Sequence, residues 1–198
     1  MVIISLTGES GTGKSTLAKW LRESKGFVEV SFADPLKQCG LAMGFTQSQM
    51  YGTQQERLVI NPLWGISGRE FLQRFGDMGR ASFPVFFPTL HVPHGSKLWI
   101  EIGLSKVKEL VAQGKNVVVS DTRYKGEADA LRAVGGVCVR VDRTDRPEEA
   151  KLPDHLATHS SETELRELVC DHVIEESTVE LAIARMEEIL TVIAPDQD

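Results

Sequence analysis

The stretch Gly8-Glu9-Ser10-Gly11-Thr12-Gly13-Lys14-Ser15 decides how this chain is read. Its pattern is a glycine, four residues, then Gly-Lys-Ser. Glycines let successive backbone N–H groups turn inward around a phosphate, and a helix starting at the loop's end adds the positive end of its dipole. Lys14 is then placed for β- and γ-phosphates, and the Ser15 hydroxyl for Mg²⁺. A glycine-rich turn that merely happens to precede a lysine is the bland alternative. Context argues against it: the β-branched run Val2–Leu6 comes before the loop. After it, Ser15–Glu23 carries Leu17, Trp20 and Leu21 at helical spacing and stops at Gly26. Binding of a nucleoside triphosphate is the expectation.

Outward from the loop, strand and helix signals alternate to the end of the chain. Phe27–Phe32 reads as a strand, and Asp34-Pro35 offers a cap and a first-turn proline for a helix over Leu36–Met43. Residues 44–66 mix Gly, Gln, Asn and Pro without period. Ser67-Gly-Arg-Glu70 is a capping box opening a helix to about Arg80, and a Pro- and Phe-rich loop follows from Phe83. A helix over Lys97–Gln113 ends at Gly114, Val117–Ser120 is a buried strand, Glu127–Val134 a helix and Val137–Val141 a strand. Residues 143–160 are polar and aperiodic, which reads as a mobile segment. A helix over Glu162–Leu168, a strand at His172–Ile174 and a box Ser177-x-x-Glu180 before a last helix complete the pattern. Strands separated by helices imply right-handed crossovers and a parallel sheet covered on both faces.

Composition narrows the class. The chain has 198 residues, 22 Lys plus Arg against 28 Asp plus Glu, and a formal net charge of −6. With 41% apolar and 25% charged residues it is an ordinary globular sequence, not a disordered or coiled-coil one. An acidic balance gives no electrostatic reason to bind nucleic acid or an anionic membrane, so a polyanionic ligand must be caught by local geometry. Cys39, Cys138 and Cys170 lie far apart and form no Cys-x-x-Cys pair, and His155 and His159 have no other ligand-type neighbours. Neither a disulfide scaffold nor a zinc site is expected. No apolar run approaches a membrane span or a signal-peptide core, so a cytoplasmic location is expected.

In an open α/β sheet, ligands sit at the carboxyl ends of strands. Asp34 and Lys37 stand at the exit of the second strand, and Asp121 and Arg123 at the exit of the Val117 strand; both pairs belong to the loop's crevice. Asp34 is expected to cap its helix whether or not it touches ligand, and Asp121 either serves Mg²⁺ or caps the next turn. Arg123 suits a bidentate phosphate contact. Arg140, Arg143 and Arg146 lead into the polar segment and read as lid arginines, with solvated surface charge as the alternative.

These pieces together resemble the phage-type deoxynucleoside monophosphate kinases, a branch of the P-loop nucleoside monophosphate kinases. The resemblance rests on Gly8–Ser15, Ala33-Asp-Pro-Leu-Lys37, Gly68-Arg-Glu-Phe-Leu-Gln-Arg-Phe-Gly76 with Trp99, Asp121-Thr-Arg123 with Glu127, and His159-Ser-Ser-Glu162, over nearly the whole chain. It implies a single P-loop kinase domain over 1–198: an α/β three-layer sandwich with a five-stranded parallel sheet. It also implies a helical substrate-binding insert at about 36–100 and a short lid at about 143–160. By resemblance, Gly11, Thr12, Gly13, Lys14, Ser15 and Thr16 hold ATP. Asp34, Leu36, Lys37, Arg69, Gly76, Asp77, Trp99, Asp121, Arg123 and Glu127 border the acceptor. Lys14, Arg123, Arg143 and Arg146 are the expected catalytic cations, with Ser15 on Mg²⁺. The stretch from Met43 to Ser67 is shorter than in the larger members of the family, which bears on base recognition and on dimer contacts; a homodimer is possible.

The implied reaction is transfer of the γ-phosphoryl group of ATP to a deoxynucleoside 5′-monophosphate. Another small-molecule P-loop kinase, acting on a coenzyme precursor or a phosphomevalonate-type acceptor, is the nearest rival. A non-catalytic nucleotide sensor is the rival of another class.

Overall fold

Ile3–Thr7 (β1) and Val117–Val119 (β5) are buried at every residue, as strands covered on both faces must be. They lie side by side in the middle of a five-stranded sheet. Val28–Val30 (β2) flanks β5, and Val137–Asp142 (β6) with His172–Glu175 (β7) extends the other side, in the order β2-β5-β1-β6-β7. All four pairings are parallel, with Ile4 opposite Val118 on one side and Leu6 opposite Val139 on the other. The computed structural model describes residues 1–86, 98–145 and 152–194.

One face of the sheet is covered by Lys14–Lys25 (α1) and Val179–Ile193 (α10), whose Leu17, Leu21, Met186 and Ile189 pack on Ile4, Leu6 and Val139. The other is covered by Leu98–Ala112 (α6) and Lys125–Arg132 (α7), through Leu104, Val107 and Leu131 on Ile3, Val117 and Val119. Each such side chain contributes about 1.5–3 kcal/mol by leaving water. Among the described residues, no helix is long and apolar enough to cross a membrane.

Between β2 and β5 the chain leaves the sheet. Asp34–Ala42 (α2), Gln47–Tyr51 (α3), Gln54–Leu58 (α4), the hairpin Ile60–Asn61 (β3) and Ile66–Ser67 (β4), and Gly68–Phe86 (α5) build this excursion. It has its own small core of Phe45, Met50 and Phe71. The aperiodic stretch 44–66 thus contains two short helices, each held by a reciprocal capping box. Thr46 Oγ1 accepts from the Gln49 N–H while the Gln49 side chain accepts from the Thr46 N–H, and Thr53 and Glu56 repeat the device.

Several expectations need correcting. Ala33, not Asp34, is the cap position of α2, and the Asp34 carboxylate instead accepts from the Tyr51 hydroxyl at 2.6 Å. The last helix is capped by Thr178, whose hydroxyl accepts from the Leu181 N–H, one residue beyond the expected box. Arg140 is not in a lid: from β6 it donates to the carbonyls of Leu165, Arg166 and Leu168, satisfying the carboxyl end of Ser160–Glu167 (α9). The described part of the segment read as aperiodic contains a short helix. Asp154–Ala157 (α8) buries Leu156, and the Gln73 side chain donates to the Leu156 carbonyl. Cys138 and Cys170, distant in sequence, bring their sulfurs to 3.0 Å of each other as free thiols.

Candidate active site

The loop after β1 is shaped by three left-handed glycines, Gly8 at φ 133°, Gly11 at 82° and Gly13 at 97°. Gly8 also admits no side chain, since a Cβ there would stand 2.2 Å from the Val141 carbonyl oxygen of β6. Gly13 has open space in front of it and sits at the N-cap of α1, so the helix opens on bare backbone N–H groups. Thr12 Oγ1 accepts from Lys14 Nζ at 3.4 Å and donates to the Glu9 carbonyl, which Lys14 also reaches. Lys14 is half-buried, and its ammonium is pushed down to about 7, first by burial and then by the Arg123 charge. Ser15 and Thr16, in the first turn of α1, are exposed.

Asp121, at the exit of β5, ties two strand ends together. It accepts from the Phe32 and Ala33 N–H groups at 2.8 and 3.0 Å and from the Ser31 hydroxyl at 2.6 Å. Its carboxylate therefore fixes the β2 exit rather than standing free toward the crevice. Glu127 is likewise built into the wall: fully buried, it accepts from the Arg123 and Tyr124 N–H groups that open α7. Burial, with the Asp121 charge adding, pushes its carboxyl up to about 7.

Beside these walls lies a set of cations. Glu162 of α9 is buried and binds Arg69 and Arg123 at once through a single oxygen. Arg57 and Lys14 join them close enough that each opposes its neighbours' charge. Among the described residues, four cations thus face this carboxylate. Burial and Arg123 lower the Arg69 guanidinium, although an arginine keeps its proton in any protein setting. Such an excess of buried positive charge is met by a ligand carrying several negative charges.

The cluster lines two adjoining cavities. A cleft of about 1070 Å³ runs from Gly11, Lys14 and Ser15 past Asp34 to α6. A tighter cavity of about 110 Å³ is walled by Phe32, Leu36, Trp99, Gln73 and Glu127, with Arg69 and Arg123 in its lining. Trp99 is fixed by donating to the Gly76 carbonyl at 3.0 Å, and Gly79 lets it approach, since a Cβ there would stand 2.5 Å from the indole. Asp77 bridges Arg80 and His159, both at 2.9 Å.

A protein of Acanthamoeba polyphaga mimivirus, provisionally named a deoxynucleotide monophosphate kinase, is 35% identical over 176 residues, spanning 85% of this chain and 84% of its own. The chain belongs to the deoxynucleotide monophosphate kinase family. No protein-family model matches it. Among solved structures, shikimate kinase from Acinetobacter baumannii in complex with shikimate is 14% identical with a TM-score of 0.47, covering 100% of this chain and 95% of its own. TT1252 from Thermus thermophilus is 17% identical with a TM-score of 0.48, covering 98% and 97%. Likeness at that level carries no residue roles.

In this kinase the structure brings Lys14, Leu36, Lys37, Arg69, Trp99, Asp121, Arg123 and Glu127 to the two cavities. Gly76 and Asp77 stand behind that wall, holding Trp99 and His159. Arg143 lines neither of these two cavities: it pairs with Asp145 at 2.7 Å and borders a small recess with Thr12, Gly13 and Thr178 and another with Ser10 and Glu162. Arg146 lies outside the described residues. Sequence reasoning missed Arg57 altogether and quoted Glu162 without a role. The Thr53-x-x-Glu56 box would have placed a helix under Arg57, but nothing local brings residues 57, 69, 123 and 162 together.

The donor set fits Mg²⁺ in one respect. Ser15 offers an exposed hydroxyl beside the cradle, while Asp121 and Asp34 are both engaged within the protein. An ion held mainly by nucleotide phosphates and water, with one protein hydroxyl, matches that supply.

Proposed function

We propose that this chain transfers the γ-phosphoryl group of ATP to a deoxynucleoside 5′-monophosphate, giving the diphosphate and ADP. The observation that carries the reading is the cluster of Lys14, Arg69 and Arg123 around Glu162, where the phosphate loop meets the smaller, aromatic-walled cavity. A polyphosphate at one side and a nucleoside phosphate at the other would share that positive junction.

The acceptor phosphate is already an anion, so no general base is required; the work is charge neutralisation and in-line positioning. The loop N–H groups and the α1 terminus hold the donor phosphates. Lys14 reaches their β- and γ-oxygens, and its charge is reinforced by the phosphates it faces. Arg69 and Arg123 hold the acceptor phosphate as paired forks. Leu36, Trp99 and Phe32 cover its base, and Lys37, Glu127 and the His159–Asp77 pair border its rim. Ser15 would hold Mg²⁺, which when bound supplies further charge neutralisation at the donor phosphates. Arg143, beside Thr12 and Gly13, borders the donor loop.

A panel of deoxynucleoside and ribonucleoside monophosphates in a coupled ADP-release assay tests this. Acceptor-dependent ADP release with at least one deoxynucleotide is expected. ATP binding without any acceptor-dependent turnover would leave a nucleotide sensor in its place.

A further inference from the structure

Arg57 is the cation of the cluster that the reading above leaves without a task. It comes from α4, five residues long, in the excursion between β2 and β5. That helix is pinned twice, by the Thr53 and Glu56 box at its start and by the Ser10 hydroxyl of the phosphate loop on Gln54. The Arg57 backbone is therefore held in register with the donor loop. Its Nε is buried and has no hydrogen-bond partner, and among the described residues no carboxylate pairs with its guanidinium. It lines both cavities. The other three residues common to the two linings are engaged: Arg123 by Glu162, Asp121 by the β2 exit, and Lys37 over the Tyr51 ring at 5.0 Å. Burial and Arg123 both oppose its charge, while Glu162 favours it. An unpaired guanidinium in such company costs stability in the empty protein.

We infer that Arg57 is a further catalytic residue, whose fork spans the donor γ-phosphate and the acceptor phosphate where the two cavities join. This rests on the kinase reading. In the step it serves, an acceptor phosphate oxygen bonds to the γ-phosphorus while the bond from that phosphorus to the β–γ bridging oxygen breaks. The bridging oxygen leaves on ADP with the electron pair, and no proton moves. Negative charge collects on the oxygens between donor and acceptor, and Arg57 is the donor aimed there. The excursion then supplies chemistry as well as a wall.

Full-length Arg57→Met and Arg57→Lys proteins test it, by ADP-release kinetics and by thermal melts in sodium chloride and in sodium phosphate at matched ionic strength. For Arg57→Met, kcat should fall by about 10²-fold, as for loss of one transition-state donor. Both KM values should rise far less than kcat falls. Its melting temperature in chloride should equal or exceed wild type, because an unpaired cation has gone, and phosphate should stabilise it less. Arg57→Lys should restore little, since a point charge cannot bridge two phosphates. The inference is overturned by a lower melting temperature in chloride with matching loss of activity, by an effect confined to acceptor KM, by unchanged kcat, or by full rescue with lysine. If the wild-type protein shows no acceptor-dependent turnover, the kinase reading fails before any variant is compared, and the inference falls with it.

Discussion

The two ends of the crevice are positive for different reasons. At the donor end the field is built from backbone: three left-handed glycines and the first turn of α1 point N–H groups at one place, and Lys14 is added to them. At the acceptor end it is built from side chains sent by α4, α5 and the β5 exit, and held by one buried carboxylate from α9. A backbone cradle survives the loss of any one side chain. A side-chain cluster that hangs on a single counter-charge does not.

The sharpest way to break that contrast is Glu162→Gln. Removing the carboxylate leaves Arg69 and Arg123 buried without their partner. A broken buried pair costs about 3–5 kcal/mol, so a large fall in melting temperature is expected. Added inorganic phosphate should recover more stability in this variant than in wild type, because it replaces the missing charge. Equal stabilisation of both proteins by phosphate would mean that Glu162 does not hold an anion site open.

Next in size is Lys14→Met at the donor end. It should lower kcat by about 10²–10³-fold while ATP still binds, because the loop N–H groups remain. Loss of ATP binding in equilibrium dialysis would show that the backbone cradle is not self-sufficient. Arg123→Lys comes third. A lost fork to a charged group is worth about 1.5–3 kcal/mol, so acceptor KM should rise by roughly ten- to a hundredfold with the ATP dissociation constant little altered. Weakened ATP binding instead would put Arg123 on the donor phosphates.

The same contrast explains what could be read from sequence. Gly8–Ser15 was legible because its whole geometry is local: adjacent residues make the loop, and the strand before and the helix after it are short-range signals. The alternating strands and helices were legible for that reason too. The acceptor end was not, since Arg57, Arg69, Arg123 and Glu162 meet only through tertiary packing. Two local signals were present and went unread, the Thr46-x-x-Gln49 and Thr53-x-x-Glu56 boxes, because Gly44, Gly52 and Pro62 around them broke the hydrophobic period. One was read one residue early: Ser177 and Thr178 both offer a hydroxyl three residues before a candidate partner, and only the backbone of Thr178, at φ −123° and ψ 159°, settles which is the cap. Arg140 looked like a lid residue because sequence shows its neighbours in the chain and not the α9 carbonyls its side chain meets across the fold.

The smallest effect concerns the wall between the two ends. Glu127 is buried, its carboxyl is pushed up to about 7 from 4.5, and it caps the Arg123 and Tyr124 N–H groups. Its folded value lies above its unfolded one, so the folded state binds the extra proton between those two values. Stability from this group is full below about pH 4.5 and is lost as pH rises through 7, with a slope of up to about 1.4 kcal/mol per pH unit. Lys14 acts in the opposite sense in a higher window. Its value is pushed down to about 7 from 10.5, so the free protein regains stability above pH 7. Melting curves taken between pH 5 and 7 isolate the carboxyl. Glu127→Gln keeps an oxygen for both N–H groups and has nothing to titrate, so its melting temperature should fall less across that range than wild type's, and it should be the more stable protein at pH 7. Parallel curves would mean that Glu127 is ionised throughout. The acceptor wall would then carry a fixed negative charge beside Arg123, and the excess of positive charge at that end would be smaller by one.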